Sequence, residues 1–498
     1  MSDRTFFRCS LVALLVATAA EAQPDAAEAT RASTLRRLQV EQAVALALRN
    51  NPGHKVSELD VLRAQEALRG EEGRYPFVFL ADAGFTRSDN PRLGPNDSVS
   101  SSVNRTYALG SALRKTWATG TAAEVRVEGR RFENDITTNP AQPSTVSGTG
   151  YNTTARASLT QPLLRGAGTG VGELELRAAR ASRSAADRGL ARDTSALVRD
   201  VLTAYWELWY AGRATDIERN ALATAKRQEA EAEARVAAGA VAPADVLSFN
   251  TRVAQLEEAV VGADISREQR ALAVLELMGD TSDTGQGLLA TSSLPPARPL
   301  STRRDVETAL RSDSVELATL EAQLVVARTR AEYAGEQSRP RLDLSGYLES
   351  NGVSEALPRS FARTGQMGWV TGHVGLTFEL PLDDSRRQSE KSAALLNVRI
   401  AETQNRAARQ RIGTDASLAV ARETAAARRL ALAERTFDVA KRTHEAERAR
   451  FELGQSIPIQ VQQAEDDLKQ AELRVTRARV DMVQSQIQLD HLTGRLIP

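Results

Sequence analysis

Residues 246–277 read VLSFNTRVAQLEEAVVGADISREQRALAVLEL, and residues 461–492 read VQQAEDDLKQAELRVTRARVDMVQSQIQLDHL. In the first stretch Val246, Phe249, Val253, Leu256, Val260, Ala263, Arg267, Arg270, Val274 and Leu277 step by threes and fours. Val461, Ala464, Leu468, Ala471, Val475, Ala478, Met482, Ser485, Leu489 and Leu492 do the same in the second, each 215 residues after its counterpart (461 − 246 = 215). Eight of ten positions are apolar in the first set and nine of ten in the second. Such spacing keeps one apolar stripe facing a partner, the seam of a coiled coil, and it occurs twice at one register. The punctuation repeats at the same offset: Gly239 with Gly454, Pro243 with Pro458, Gly279 with Gly494. The reading is an internal duplication.

Upstream the offset changes. Tyr75-Pro76 answers Arg339-Pro340 at 264, and Gln161-Pro162-Leu163 answers Leu380-Pro381-Leu382 at 219, so the first half carries 45 extra residues between these prolines (264 − 219 = 45). Between the prolines the pattern turns to period two. Leu342, Leu344, Gly346 and Leu348 alternate with polar residues, as do Val374, Leu376, Phe378, Leu380 and Leu382, and in the first half Ala155, Ala157, Leu159, Gln161 and Leu163. This fits membrane barrel strands, and equally a soluble sheet with one wet face. The insertion contains a candidate hairpin, Thr106–Trp117 and Thr121–Glu133, about Ala118-Thr119-Gly120.

Helical stretches run through 172–238 and 386–453, with shorter ones over 42–74, 244–277, 303–336 and 459–493. Two short ones end to end match one long one, about 100 Å at ~1.5 Å per residue. The organisation expected is therefore 1–22 leader; 23–76 N-terminal segment and first half-length helix; 77–164 first β segment with the extra hairpin; 172–278 long helix, turn and shorter helix; 279–302 linker; 303–338 half-length helix; 341–382 second β segment; 386–498 long helix, turn and C-terminal helix.

Arg4 and Arg8, the apolar run LVALLVATAA at 11–20 and Ala20-Glu21-Ala22 form a secretory signal peptide. Ten apolar residues are too few to span a bilayer, and no later run is long enough, so any membrane crossing must be by β-barrel. The single cysteine, Cys9, lies in this leader and excludes a disulfide framework. Lys+Arg and Asp+Glu are 64 each, a balance that argues against nucleic-acid binding. His54, His373, His444 and His491 are far apart, and no catalytic, metal-binding or cofactor motif occurs. The run Gly166, Gly168, Gly170, Gly172 lacks the spacing of a phosphate loop and reads as a strand-to-helix junction.

The duplicated order of elements resembles the TolC-type outer-membrane efflux channels, from about Leu38 to Leu496. The pieces are Glu41–Leu48 before Asn51-Pro52, the strand exit Leu159–Leu164, VLTAYWELW at 201–209, the Gly/Pro helix turns and Leu492-Thr493-Gly494. The resemblance implies a mainly α protein with β: a homotrimer whose outer-membrane β-barrel continues as a long periplasmic α-helical coiled-coil barrel. It implies an exit duct in the cell outer membrane, set in lipid, with a large periplasmic part. The duct would pass small toxic compounds from a periplasmic adaptor (membrane fusion) protein and an inner-membrane pump, RND-type or ABC-type. A duct for type I protein secretion is the alternative within the family, and a soluble periplasmic coiled-coil scaffold the alternative outside it. The family plan gives two strands per half, hence twelve in a trimer. The extra hairpin departs from it: it either extends the external face or enters the barrel to make eighteen, and the accessory position is the expected one.

The resemblance places adaptor contacts at the helix tips, with Gly239, Pro243, Gly454 and Pro458; there glycine supplies the positive φ that ends one helix and proline opens the next. It places the pore constriction at Asp245, Gln460 and Gln463. Asp245 is the one carboxylate kept; it reads equally as a helix-start charge meeting the dipole. Amides at 460 and 463 would select cations less than carboxylates. Phe451 falls where a latch between helices is implied, with packing the plainer role. Tyr205, Trp206, Trp209 and Tyr210 read as packing between helices.

Overall fold

The computed structural model describes residues 36–93, 99–137, 145–238, 243–280, 287–296 and 298–496. The leader with Cys9 lies outside them, as does Gly239, and so does the side chain of Asp245.

The helices follow the punctuation. α1 (Val40–Asn50) stops at Asn51, whose side chain accepts from the His54 amide and caps α2 (Pro52–Glu72), with proline in its first turn. The stretch read as one helix over 42–74 is thus two. After α3 (Thr169–Gly172), α4 runs over Leu174–Ala237 and α5 over Pro243–Met278. The stretch 303–336 is likewise split, into α6 (Arg303–Asp313) and α7 (Val315–Gln337), where Ser314 caps the second. α8 (Leu357–Gly365) falls between strands; α9 spans Ser385–Glu452 and α10 Pro458–Leu492. Gly189, Gly212 and Gly413 leave the long helices unbroken. α5 and α10 end alike. The Asp280 amide donates to Leu275 O and that of Gly279 to Glu276 O, with φ +67° at Gly279. Arg495 donates to Asp490 O and Gly494 to His491 O, with φ +72° at Gly494. These paired bonds satisfy the last carbonyls, and they need a left-handed residue that glycine supplies.

The chain forms two compact units. In one, which includes Val201–Pro296 and Leu430–Val480, Ala225 packs with Val253 and Leu256. There β1 (Arg36–Leu38) pairs in parallel with β6 (Leu288–Ala290). The segment 279–302, read as the linker, thus carries β6. Tyr205 pins the pair: its hydroxyl, fully buried, donates to Leu38 O at 3.0 Å and accepts from the Ser292 amide at 2.9 Å. In the other unit Val306, Leu310, Ile412, Ala416, Ala419 and Leu489 form a core.

That second unit also holds a six-stranded antiparallel sheet, ordered β2-β3-β4-β5-β7-β8. Its strands are β2 (Phe77–Leu93), β3 (Val99–Thr116), β4 (Ala122–Thr137), β5 (Thr145–Pro162), β7 (Arg341–Ser354) and β8 (Val370–Glu379). The inserted hairpin is β3–β4, and it stands in the middle of the sheet, not in the accessory position expected for it. Its strands alternate in phase with their neighbours, so it extends the sheet without breaking either face.

Candidate functional site

The tip after α9 is a built turn. The Gln455 amide donates to Arg450 O (2.8 Å) and that of Gly454 to Phe451 O (2.9 Å), with φ +72° at Gly454. A Cβ at Gly454 would meet nothing within 4 Å, so only the backbone asks for glycine. Pro458 then opens α10. Ser456 ties the turn down by donating to Glu447 Oε2 (2.9 Å), and it bonds Gln460 Oε1 at 2.8 Å. Around this polar knot Leu453, Ile457 and Ile459 are 74%, 56% and 63% exposed, an apolar tip in the single chain. Phe451 is half-buried beneath it.

On α10 Gln460 and Gln463 face outward, while Val461, Gln462 and Ala464 are buried. Asp467 lies on the same exposed stripe one turn on, and its carboxylate accepts from Gln463 Nε2 at 3.4 Å. The sequence reading missed this carboxylate, although the helical step of seven from Gln460 to Asp467 pointed to it.

Above the tip a polar node joins four helices. Arg252 of α5, 12% exposed, reaches Asp466 of α10 through both guanidinium nitrogens (2.8 and 3.2 Å) and Glu465 at 3.4 Å. Gln228 of α4 donates to Glu465 Oε1 at 2.6 Å, and His444 of α9 stands 3.7 Å from the same oxygen. Further along, Lys469 pairs with Glu218 at 3.1 Å, both side chains largely buried. The seam that opened the sequence reading is covered on α10, where Val461, Ala464, Ala471, Val475, Ala478, Met482 and Leu489 are buried. On α5 its members Val253, Leu256 and Val274 are buried too, while Leu247, Val261, Ile265 and Leu272, off the seam, stay exposed.

The sheet has two unlike faces, because side chains opposite each other in a pair share a face. One row set reads Phe77, Phe79, Ala81, Ala83 and Phe85 on β2, then Tyr107, Leu109 and Leu113 on β3 and Val125 and Val127 on β4. It continues through Ala155, Ala157 and Leu159 on β5 and Leu344 and Leu348 on β7 to Val374, Leu376 and Phe378 on β8. Phe77, Phe79, Val374 and Phe378 are 60–78% exposed, so most of this apolar face is uncovered in the single chain, while α8 covers the corner at Thr153 and Gly352. The other face carries charge paired across strands: Arg126 with Asp82 (2.7 Å), Arg114 with Glu124 (2.6 Å), Arg156 with Glu349 (2.6 Å). The Arg156 guanidinium lies over the Tyr347 ring, which stacks on His373. β2 and β8 are open edges.

Of the aromatic group on α4, Trp206 and Trp209 pack edge to face, and Trp209 and Tyr210 carry Arg213 and Arg477 over their rings. Among the described residues no cluster of His, Cys, Asp or Glu could hold a metal, and no helix is long and apolar enough to cross a membrane.

Residues 308–495 match the family model described as outer membrane efflux protein, the family the resemblance pointed to. No curated protein matches. Among solved structures, the outer membrane protein VceC of Vibrio cholerae is 16% identical with a TM-score of 0.65, over 91% of this chain and 96% of that one. A membrane protein of Pseudomonas aeruginosa is 18% identical at 0.67, covering 91% and 93%. The CmeC outer membrane channel of Campylobacter jejuni is 15% identical at 0.66, covering 92% and 85%. These likenesses share the fold.

Proposed function

We propose that this chain, which matches the outer membrane efflux protein model over residues 308–495, is the outer-membrane exit duct of a tripartite export system. It would pass small toxic compounds outward from a periplasmic adaptor and an inner-membrane pump. The observation that carries the reading is the sheet, apolar and mostly uncovered on one face, charged on the other and open at both edges. In lipid an open edge leaves amides and carbonyls unpaired, so copies must join edge to edge until the sheet closes. Three copies are the number the family plan supplies. The apolar face would then meet acyl chains and the charged face would line water. The exposed apolar stripe on α5 supports helix contacts between copies.

In this reading the tips at Gly239–Pro243 and Gly454–Pro458 meet the adaptor. Leu453, Ile457 and Ile459 offer it apolar surface around the rigid Gly454 turn. Asp245, Gln460 and Gln463, with Asp467 beside them, would ring the aperture. The duct supplies no energy of its own; its partners shift a closed–open equilibrium. The test is made in planar bilayers with Gln460→Asp combined with Gln463→Asp. Three added carboxylate pairs around a narrow mouth should shift the reversal potential toward cation selectivity. An unchanged reversal potential places these side chains against helices and removes them from the aperture.

A further inference from the structure

The inserted hairpin lies where it sets the circumference of the sheet. β3 and β4 are paired continuously from Ser101↔Thr137 to Thr116↔Ala122 and stand between β2 and β5. The insertion is keyed in at three places. On the charged face Arg126 of β4 reaches across β3 to Asp82 of β2, over Gly110, where a Cβ would stand 2.9 Å from both side chains. At the turn, Gly120 has φ +83°, and a Cβ there would be 2.3 Å from Gly166 O. The Gly168 amide donates to Thr119 O at 3.2 Å, and a Cβ on Gly172 would be 1.8 Å from Ala118 O. The glycine run that resembled a loose junction in the sequence is the seat of the inserted turn.

We propose that all six strands of each copy enter the barrel, so that three copies close eighteen strands and the outer-membrane barrel is about half again as wide, and its clear bore about twice as wide, as the four-strand plan gives. This rests on the three-copy duct proposed above. Strands ~4.8 Å apart and tilted ~40° put eighteen on a circle of radius roughly 18 Å, against roughly 12 Å for twelve. With about 6 Å of side chain on the inner wall, the clear bore is about 24 Å across instead of about 12 Å. Barrels of 16–18 strands leave an aqueous channel. The inner face here suits one, since its arginines and carboxylates pair with each other along the wall. Such a barrel admits a helical hairpin, because two helices of ~10–12 Å side by side span about 20 Å, which a bore of about 12 Å excludes.

The strand count in an electron-microscopy map of the nanodisc-embedded full chain tests this. Eighteen strands, with β2 of one copy beside β8 of the next, are expected. A trimer of twelve strands with the hairpin outside overturns the proposal and leaves the duct reading intact. A particle without threefold symmetry overturns the three-copy reading, and this one with it. A second measurement uses the deletion of residues 99–137, which brings β2 beside β5 with Phe77 and Leu159 in one row. In cells, a maleimide-bearing helical hairpin about 20 Å across, added outside, should label Ser345→Cys on the charged face of the full chain and be excluded from the deletion variant. Equal labelling of the two, or labelling of neither, contradicts the wider bore.

Discussion

Gly454 and His491 illustrate two ways a single residue constrains this fold. Gly454 holds a left-handed turn in open space, so Gly454→Ala should cost ~1 kcal/mol from backbone strain alone, with no clash. Thermal unfolding should then change little, while cross-linking to the adaptor in cells should fall sharply, because every copy's tip is altered at once. Wild-type cross-linking in this variant would place docking elsewhere. His491 of α10 is held between Ser195 (2.9 Å from Nδ1) and Arg199 (3.1 Å from Nε2) of α4. A guanidinium only donates, so Nε2 accepts and Nδ1–H points to Ser195. Burial first, and then the Arg199 charge, hold its pKa below the ordinary 6.5. The unfolded chain therefore takes up the proton more readily, and the contribution is complete above 6.5 and lost as pH falls through the lower folded value. The unfolding temperature should drop on acidification from 6.5 down to that lower value, and His491→Gln should flatten the drop; an equal slope in both proteins would assign it to other groups. The Gly454 turn was legible because Gly and Pro at fixed spacing state their conformation locally. The His491 contact was not, since its partners lie nearly three hundred residues away and carry no local pattern.

At the scale of elements, the four-helix node and the seat of α8 are the contacts to break. Arg252→Ala leaves Glu465 and Asp466 side by side without their guanidinium. With Asp466 half exposed, about 2 kcal/mol should be lost, read as a lower midpoint of the helical signal. α8 lies on the apolar face of the sheet through hydroxyls: Ser360 bonds Thr153 (2.9 Å) and donates to Gly352 O (2.6 Å), and Ser350 donates to Thr364 O (2.7 Å). A Cβ on Gly352 would sit 2.2 Å from Ser360 O, so Gly352→Val should dislodge the helix and open Arg359 and Arg363 to trypsin. Resistance equal to wild type would contradict the seat. The long helices and the period-two strands were legible because apolar spacing reports them directly. Three things were not. α8 is a nine-residue amphipathic turn of chain between strands, and β1 and β6 are three residues each, too short to show a period. The place of the inserted hairpin depended on pairing with β2 and β5, which alternation within a strand does not specify.

For the whole molecule, the repeated apolar spacing and the pattern read as a signal peptide were legible in the sequence, and through them the resemblance; the strand count came only from the sheet. An apolar face and two open edges make the single chain incomplete in lipid, so the account turns on how many copies complete it. Two copies of six strands would restore twelve, and three make eighteen. The most direct measurement is the mass, by native mass spectrometry, of the particle extracted in detergent from the outer-membrane fraction. Three copies per particle is the expected result. A dimer, a stable monomer, or recovery of the chain in the soluble periplasmic fraction would contradict it.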